Sequence, residues 1–275
     1  MEINLHKPTS STKEDLLKEL PKEFIDTEFQ VPTMEVELPS MGLFYGGKKS
    51  VKIKFLTAEE DDILFSPELI RSGKSLDTLL QHAVVDQDLN PDDMLVGDRN
   101  MVLVALRRTG LGDSYTSSER ICPSCNESFV PEVDLSLLKM KQLVDQPDSR
   151  GEYAYVMPTS NYGIKFRFLT GRDENRLAKS VQAGNKKVGQ LKVAKTVTEK
   201  YLLHIMEVDG ERDKLVIQKF ISSMPMRDSA AFREYIRLME PNIDHAYTFE
   251  CPHCSHQFVD DVELDYKLFY PSMKK

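Results

Sequence analysis

Two short segments of this chain are near-copies of each other, and each carries half of a metal site. Cys122-Pro123-Ser124-Cys125 leads into Phe129-Val130 and Val133-Asp134-Leu135; Cys251-Pro252-His253-Cys254 leads into Phe258-Val259 and Val262-Glu263-Leu264. All four cysteines of the protein lie in these two places. A CxxC turn lets two thiolates face one ion, and two such turns supply the four soft ligands of a tetrahedral zinc site. A lone pair gives only two ligands, so one site shared by Cys122, Cys125, Cys251 and Cys254 is expected, stapling distant parts of the chain together. Such a zinc is structural, since four thiolates leave no position open for water. His253 and His256 stand where the first copy has Ser124 and Glu127, and they read as exposed turn histidines.

The CxxC pairs also fit a redox centre, which needs the first cysteine at a helix N-terminus directly after a strand. Here each pair is followed by a strand-like stretch, Phe129-Val130 or Phe258-Val259, as in a zinc ribbon. The N-terminus, with Glu2, Glu14, Asp15 and Glu19, lacks the apolar core of a signal peptide, and no segment approaches the roughly 20 apolar residues of a membrane span. The expectation is therefore a reducing cytoplasm and no membrane partner, which favours metal ligation over a disulfide framework.

More self-similarity lies upstream of the cysteines. Val51-Lys52-Ile53-Lys54-Phe55-Leu56-Thr57 matches Ile164-Lys165-Phe166-Arg167-Phe168-Leu169-Thr170. Both alternate apolar and basic residues, the period of a half-buried strand. Each reaches a threonine followed three residues later by an acid, Glu60 or Asp173, which predicts a capping box and a helix. The acids at Glu59, Glu60, Asp61, Asp62, Asp173 and Glu174 then serve helix starts rather than catalysis. Leu79 to Asp86 resembles Leu202 to Asp209. Asp98 and Asp228 each open an amphipathic helix ahead of the cysteines, with Met101, Val104, Ala105 and Arg108 sharing a face of the first and Ala231, Tyr235, Ile236 and Met239 sharing a face of the second. Four matches in one order predict a duplicated unit of about a hundred residues. The fold class expected is α+β, with two repeated lobes joined by a shared zinc-ribbon-like site. The domains expected are an N-terminal arm 1–35, a first lobe 36–144, a linker 145–153 and a second lobe 154–275. The second copy is longer, and the excess falls near Gln182 to Lys195.

In the arm, Ser11 and Glu14 predict a short helix ended by Pro21, with Leu16, Leu17 and Leu20 as its apolar stripe. A helix this short is marginal in water, so these leucines need a surface, on a partner or on the protein's own lobes. Gly42 to Lys49 matches GxxxxGK in number only: Lys49 stands where Ser or Thr would hold magnesium, and a strand follows instead of a helix. Gly110-Leu111-Gly112 reads as a loop. No serine, cysteine or histidine has a nucleophile's context, so no enzyme and no small-molecule substrate is expected.

The net charge of −8 opposes a broad grip on nucleic acid. The one basic run, Lys186, Lys187, Lys192, Lys195 and Lys200, reads as a solvated helix face. A zinc-ribbon nucleic-acid-binding module is the alternative class, and Glu127, Glu132, Asp134, Asp260, Asp261 and Glu263 around the knuckles would repel phosphate. A thiol oxidoreductase is the third, and a metal-free protein with a titratable CxxC disulfide would identify it.

The segment Leu38-Pro39-Ser40-Met41-Gly42-Leu43-Phe44-Tyr45, followed by the alternating strand, the Phe-Leu-Thr cap and a CPxC turn, resembles a family of tail baseplate proteins of T4-type contractile-tailed bacteriophages, which are baseplate hub subunits or hub assembly factors. The likeness runs from about Glu35 to Tyr270, and its most specific part is Leu-Pro-Ser-x-Gly-x-x-Tyr. The second copy has Met157-Pro158-Thr159-Ser160 there and lacks the glycine and tyrosine. The resemblance implies a non-enzymatic protein in the infected host's cytoplasm that contacts other baseplate or hub proteins. Whether it stays in the virion tail is left open.

Overall fold

In the computed structural model of the protein, the described residues are 30–183, 186–188, 191–193, 196–262, 264 and 266–269. Strand β1 (Thr33–Glu37) pairs antiparallel with β2 (Ser50–Lys54), placing Met34 opposite Ile53 and Val36 opposite Val51. Val51 and Ile53 are buried and Lys52 is exposed, as the alternation requires. The connection turns on Met41, Gly42, Gly46 and Gly47, all at positive φ. A Cβ on Gly42 would lie 2.3 Å from the Lys48 backbone, so this turn needs glycine.

Thr57 then caps α1 (Ala58–Leu64) with the reciprocal bonds of a capping box to Glu60. Two further helices follow, α2 (Pro67–Ser72) and α3 (Ser75–Ala83). The chain leaving α3 returns to β2, where the Val85 N–H donates to the Lys52 carbonyl at 2.9 Å. Helix α4 (Val96–Leu111) differs from the one-faced helix expected: every residue from Val102 to Arg107 is buried, while Arg108 is exposed. Distant segments enclose it, as Arg107 shows by donating to the carbonyls of Leu268 (2.7 Å), Gly112 (2.6 Å) and Ser114 (2.7 Å). Gly110 and Leu111 belong to this helix rather than to a loop, and Gly112 at φ 82° is its cap. Beyond it, β3 (Ser114–Thr116), β4 (Arg120–Ile121), β5 (Ser128–Phe129) and β6 (Glu132–Asp134) form nested hairpins, β4 on β5 inside β3 on β6. Strand β7 (Met140–Lys141) precedes a loop over residues 142–152.

The later half opens with another hairpin, β8 (Tyr153–Val156) on β9 (Gly163–Phe166). Helix α5 (Gly171–Ala183) follows, then a hairpin of β10 (Lys186–Val188) and β11 (Leu191–Val193), then α6 (Thr196–His204). The basic run is thus no helix face: Lys186, Lys187 and Lys192 lie in strands, Lys200 lies in α6, and Lys195 is outside the described residues. Strand β12 (Ile205–Val208) returns to β9 and completes a three-stranded antiparallel sheet. Two helices, α7 (Lys214–Ser223) and α8 (Met226–Met239), lead to β13 (Asn242–Ile243) and a last hairpin, β14 (Ala246–Glu250) on β15 (Gln257–Asp261). Phe232, Ile236 and Met239 form the buried stripe of α8. Helices beside small antiparallel sheets make this an α+β fold.

Several hydrogen bonds recur between the halves. The Glu60 carboxylate accepts from the Thr57 N–H and hydroxyl, both at 2.6 Å, and Asp173 accepts from the same groups of Thr170 at 3.1 and 3.0 Å. Lys54 pairs with Glu60 at 2.9 Å, and Arg167 with Asp173 at 2.7 Å. Buried Asp98 accepts from the Ser40 N–H at 2.9 Å, and buried Asp228 accepts from the N–H groups of Thr159 (2.7 Å) and Ser160 (3.0 Å).

The elements from Thr33 onward form one compact unit with two hydrophobic clusters. One is built on β1, β2, α3 and α4, and it also takes in Ile243, Phe249, Cys251, Val262, Leu268 and Phe269 from the end of the chain. The other is built on β8, β9, α6, α7 and α8. Between them the Val96 N–H donates to the Leu169 carbonyl and the Gly171 N–H to the Met94 carbonyl, both at 3.0 Å, and β7 pairs with β13.

Candidate metal centre

Each CxxC is a tight turn at the tip of a hairpin. In the first, the Cys122 N–H donates to the Glu127 carbonyl and the Asn126 N–H to the Cys122 carbonyl, both at 3.0 Å, with Asn126 at φ 58°. In the second, the Cys251 N–H donates to the His256 carbonyl at 3.0 Å and the Ser255 N–H to the Cys251 carbonyl at 2.9 Å, with Ser255 at φ 56°. The left-handed residue closing each turn aims both sulfurs to one side.

The two turns face each other. Cys122 Sγ lies 3.7 Å from Cys254 Sγ, Cys125 Sγ lies 3.7 Å from Cys251 Sγ, and all four sulfurs fall within 4.8 Å of one another. Sulfurs about 2.3 Å from a central zinc form a tetrahedron with edges of roughly 3.8 Å. The observed spacing fits that figure and far exceeds a disulfide bond of about 2.05 Å. Cys122 and Cys251 are buried, Cys125 is half-buried and Cys254 is exposed. Burial raises the Cys122 thiol, yet N–H donors from Cys125 and Ser124 and the neighbouring thiols outweigh it and hold it at about 6. For Cys125, the Glu127 N–H lowers the thiol, while burial and its three sulfur neighbours push it up to about 12. Four adjacent sulfurs do not all ionise by themselves; a divalent cation supplies the charge that lets them. The donor set therefore fits zinc.

His253 and His256 are both exposed and stand outside the four-sulfur group. Aromatic rings brace the hairpins beneath the cysteines, with Phe129 and Phe258 edge to face at 6.3 Å. Arg120 bridges them: its guanidinium pairs with Asp260, donates to the Asp261 carbonyl at 2.5 Å and lies over the Phe249 ring. Sequence reasoning missed Arg120, although it sits two residues before Cys122. Leu16, Leu17 and Leu20 lie outside the described residues.

A second group of candidate ligands, Glu59, Glu60 and His82, has a different character. The Lys54 ammonium lies 2.9 Å from Glu60 and 3.3 Å from His82 Nδ1, where a metal would sit. Burial would raise the Glu60 carboxyl, but hydrogen bonds from Thr57, Lys54 and His82 hold it down at about 2.

Leu-Pro-Ser-x-Gly-x-x-Tyr also acquires a physical role. The Ser40 N–H and the Tyr45 hydroxyl both donate to Asp98, at 2.9 and 2.7 Å, while the Leu95 N–H donates to the Tyr45 oxygen at 2.5 Å. The motif thereby clamps the start of α4, whose far end leads to the first cysteine turn. Over residues 31–265 the chain matches the family model described as T4 bacteriophage base plate protein. The chain belongs to that family. The matched region holds the clamp and both cysteine turns. No curated protein and no solved structure matches the chain.

Proposed function

We propose that this baseplate protein is a non-enzymatic, zinc-stapled structural or assembly component of the tail baseplate hub, acting through contacts with other baseplate or hub proteins. The observation that carries the reading is the convergence of Cys122, Cys125, Cys251 and Cys254 at zinc spacing, from turns that lie far apart in a baseplate-family chain. Zinc held this way fixes the relative position of two hairpins and adds no reactive group. Around it, Glu127, Glu132, Asp134, Asp260 and Asp261 are exposed, an arrangement that repels phosphate and favours protein partners over nucleic acid.

The chain is further read as a duplicated unit, lobes 36–144 and 154–275 joined by the 145–153 linker. Support comes from the matched hydrogen bonds of Thr57 with Thr170, of Asp98 with Asp228, and of the two cysteine turns. The arm 1–35 is assigned to partner anchoring through Leu16, Leu17 and Leu20. Assembly takes place in the host cytoplasm, and the tail baseplate is the destination.

Metal analysis of the purified protein should give about one zinc per chain. Co-expression with hub proteins should give a complex that survives purification, and Ser substitutions at Leu16, Leu17 and Leu20 should break it without changing zinc content. An iron–sulfur chromophore, two metals per chain, or hub assembly unaffected by loss of the protein would overturn the reading.

A further inference from the structure

An apolar groove of about 400 Å³ runs between β1 and α4. Among the described residues, Met34 and Val36 of β1, Met101 and Ala105 of α4, and Met140 of β7 form its apolar lining. Three thioethers in one groove make a surface that reshapes easily and favours contact with an aromatic ring. The rim is acidic. Arg108 is taken by Asp113 at 2.6 Å, which leaves the exposed Glu35 and Glu37 of β1 as the net charge among the residues that line the groove.

The later half of the chain has a matching place between β8 and α8, and there it is filled. Counted back from Leu38 and Met157, Val36 corresponds to Tyr155; counted on from Asp98 and Asp228, Ala105 corresponds to Tyr235. The rings of Tyr155 and Tyr235 stack at 4.3 Å, and Tyr155 also stacks on Phe232 at 5.7 Å. With valine and alanine at these positions, the first half has room where the second has two aromatic rings.

We propose that the groove between β1 and α4 receives an aromatic side chain from a partner protein, on a segment carrying Lys or Arg beside the ring. The ring takes the place that Tyr235 occupies in the other half, and the basic neighbour meets Glu35 and Glu37. This rests on the partner-binding reading above but uses a surface separate from the arm.

The test uses the full chain with ¹³C-methyl methionine and three synthetic peptides: one centred on Lys-Tyr-Lys, one with Ala for Tyr, and one with Glu for both Lys. The Lys-Tyr-Lys peptide should move the methyl signals of Met34, Met101 and Met140 upfield by ring current and leave most of the protein's 12 methionines in place. The Ala peptide should bind at least about tenfold more weakly, as expected for loss of an aromatic anchor. The Glu peptide should also bind more weakly. Ala105→Tyr should abolish the response with zinc content unchanged, and Glu37→Lys should reverse the preference between the Lys and Glu peptides even if the tyrosine variant fails to fold. Unmoved methyls, or equal response to the Ala peptide, would overturn the proposal. If Ser at Leu16, Leu17 and Leu20 shifts the three methyls with no peptide present, the protein's own arm is the occupant. If they shift with protein concentration, a second copy is. Either result also overturns it. Zinc content is read separately, so failure here leaves the metal centre standing.

Discussion

The guanidinium of Arg120 lies 4.2 Å from the centre of the Phe249 ring. Each residue stands two places before the first cysteine of its own turn, so matching positions of the two hairpins touch beside the four-sulfur group. The contact ties one hairpin to the other without the metal, and the Asp260 pair and the Asp261 carbonyl reinforce it. Arg120→Ala should cost about 1–2 kcal/mol, because the cation sits on a ring and only one side of the ion pair is exposed to solvent. Zinc should then leave faster to a chelator. Urea unfolding and the rate of zinc transfer to a chromogenic chelator measure the two effects, and an unchanged transfer rate would show that the bridge does not guard the metal.

Cys122 is the most buried of the four cysteines, and Cys122→Ser puts a hydroxyl in place of a thiol. Zinc affinity should fall by more than the roughly 10–100-fold that outer-shell changes cost. Because Cys251 and Phe249 pack in the same hydrophobic cluster as Cys122, the loss should loosen both hairpins together. Hydrogen exchange of the β4–β5 and β14–β15 amides should rise in parallel; a rise confined to β4–β5 would mean that the metal does not join them.

The clamp on α4 gives a graded series. Asp98→Ala leaves the Ser40 N–H and the Tyr45 hydroxyl without their buried acceptor, which should cost about 2–5 kcal/mol. Tyr45→Phe removes one donor and strands the Leu95 N–H, for about 1–3 kcal/mol. Ser40→Ala should cost less than either, since it keeps the backbone N–H bond to Asp98 and loses only the hydroxyl, which also hydrogen-bonds Asp98 and accepts from the Gly42 N–H at 3.3 Å. Denaturant midpoints in that order support the clamp, and equal midpoints for Ser40→Ala and Asp98→Ala would refute it.

What was legible in the sequence is what is decided within a few residues. The cysteine turns, the capping box at Thr57, the bonds from Thr170 to Asp173, and the alternation in β2 and β9 all depend on near neighbours, and they stand where the pattern puts them. Helix α4 shows the limit: its stripe of Met101, Val104 and Ala105 suggests one buried face, but segments more than a hundred residues later wrap the rest. Burial of Arg107 depends on the Leu268 carbonyl, which no local period announces. The basic run misled for a related reason, since the spacing of Lys186, Lys187 and Lys192 does not tell a hairpin from a helix, and these residues lie in the β10–β11 hairpin. Asp98 reads from the sequence as a helix opener, while its partners Ser40 and Tyr45 lie more than fifty residues upstream, in a motif whose local pattern does not point to that aspartate.

His204 sets an acid limit. Its ring is buried, its Nδ1–H donates to the Arg167 carbonyl at 2.8 Å, and its Nε2 has no hydrogen-bond partner among the described residues. Burial, aided by the charges of Lys200 and Arg167, lowers it from 6.5 to about 4. The unfolded chain takes up a proton below about pH 6.5 that the folded chain refuses until about pH 4, so this group's stability is present above pH 6.5 and is lost as pH falls through that window. The loss approaches roughly 3 kcal/mol at pH 4. His204→Gln should flatten the acid limb of stability against pH. An unaltered slope between pH 6.5 and 4 would place the sensitive group elsewhere.

The joint between the clusters makes the sharpest demand on a single atom. A Cβ on Gly97, in the first turn of α4, would lie 1.8 Å from the Pro241 carbonyl oxygen and 2.8 Å from the Asn242 Cα. Both obstacles are backbone, and β13 is held there by β7 and by the Asn100 amide, which donates to the Asn242 side chain at 3.2 Å. Gly97→Ala should therefore force α4 away from β13 and cost about 3 kcal/mol or more, at the upper end of overpacking. Gly110, in the same helix, is the control. The atoms nearest its Cβ would belong to the Leu56 side chain, whose Cδ1 at 2.8 Å is a flexible end that can turn aside while the Leu56 Cβ stays at 3.2 Å, and alanine improves the helix by about 1 kcal/mol. Thermal unfolding should place Gly110→Ala near the parent and Gly97→Ala far below it. Similar midpoints for the two variants would show that the chain does not need this close approach between the start of α4 and the segment after α8.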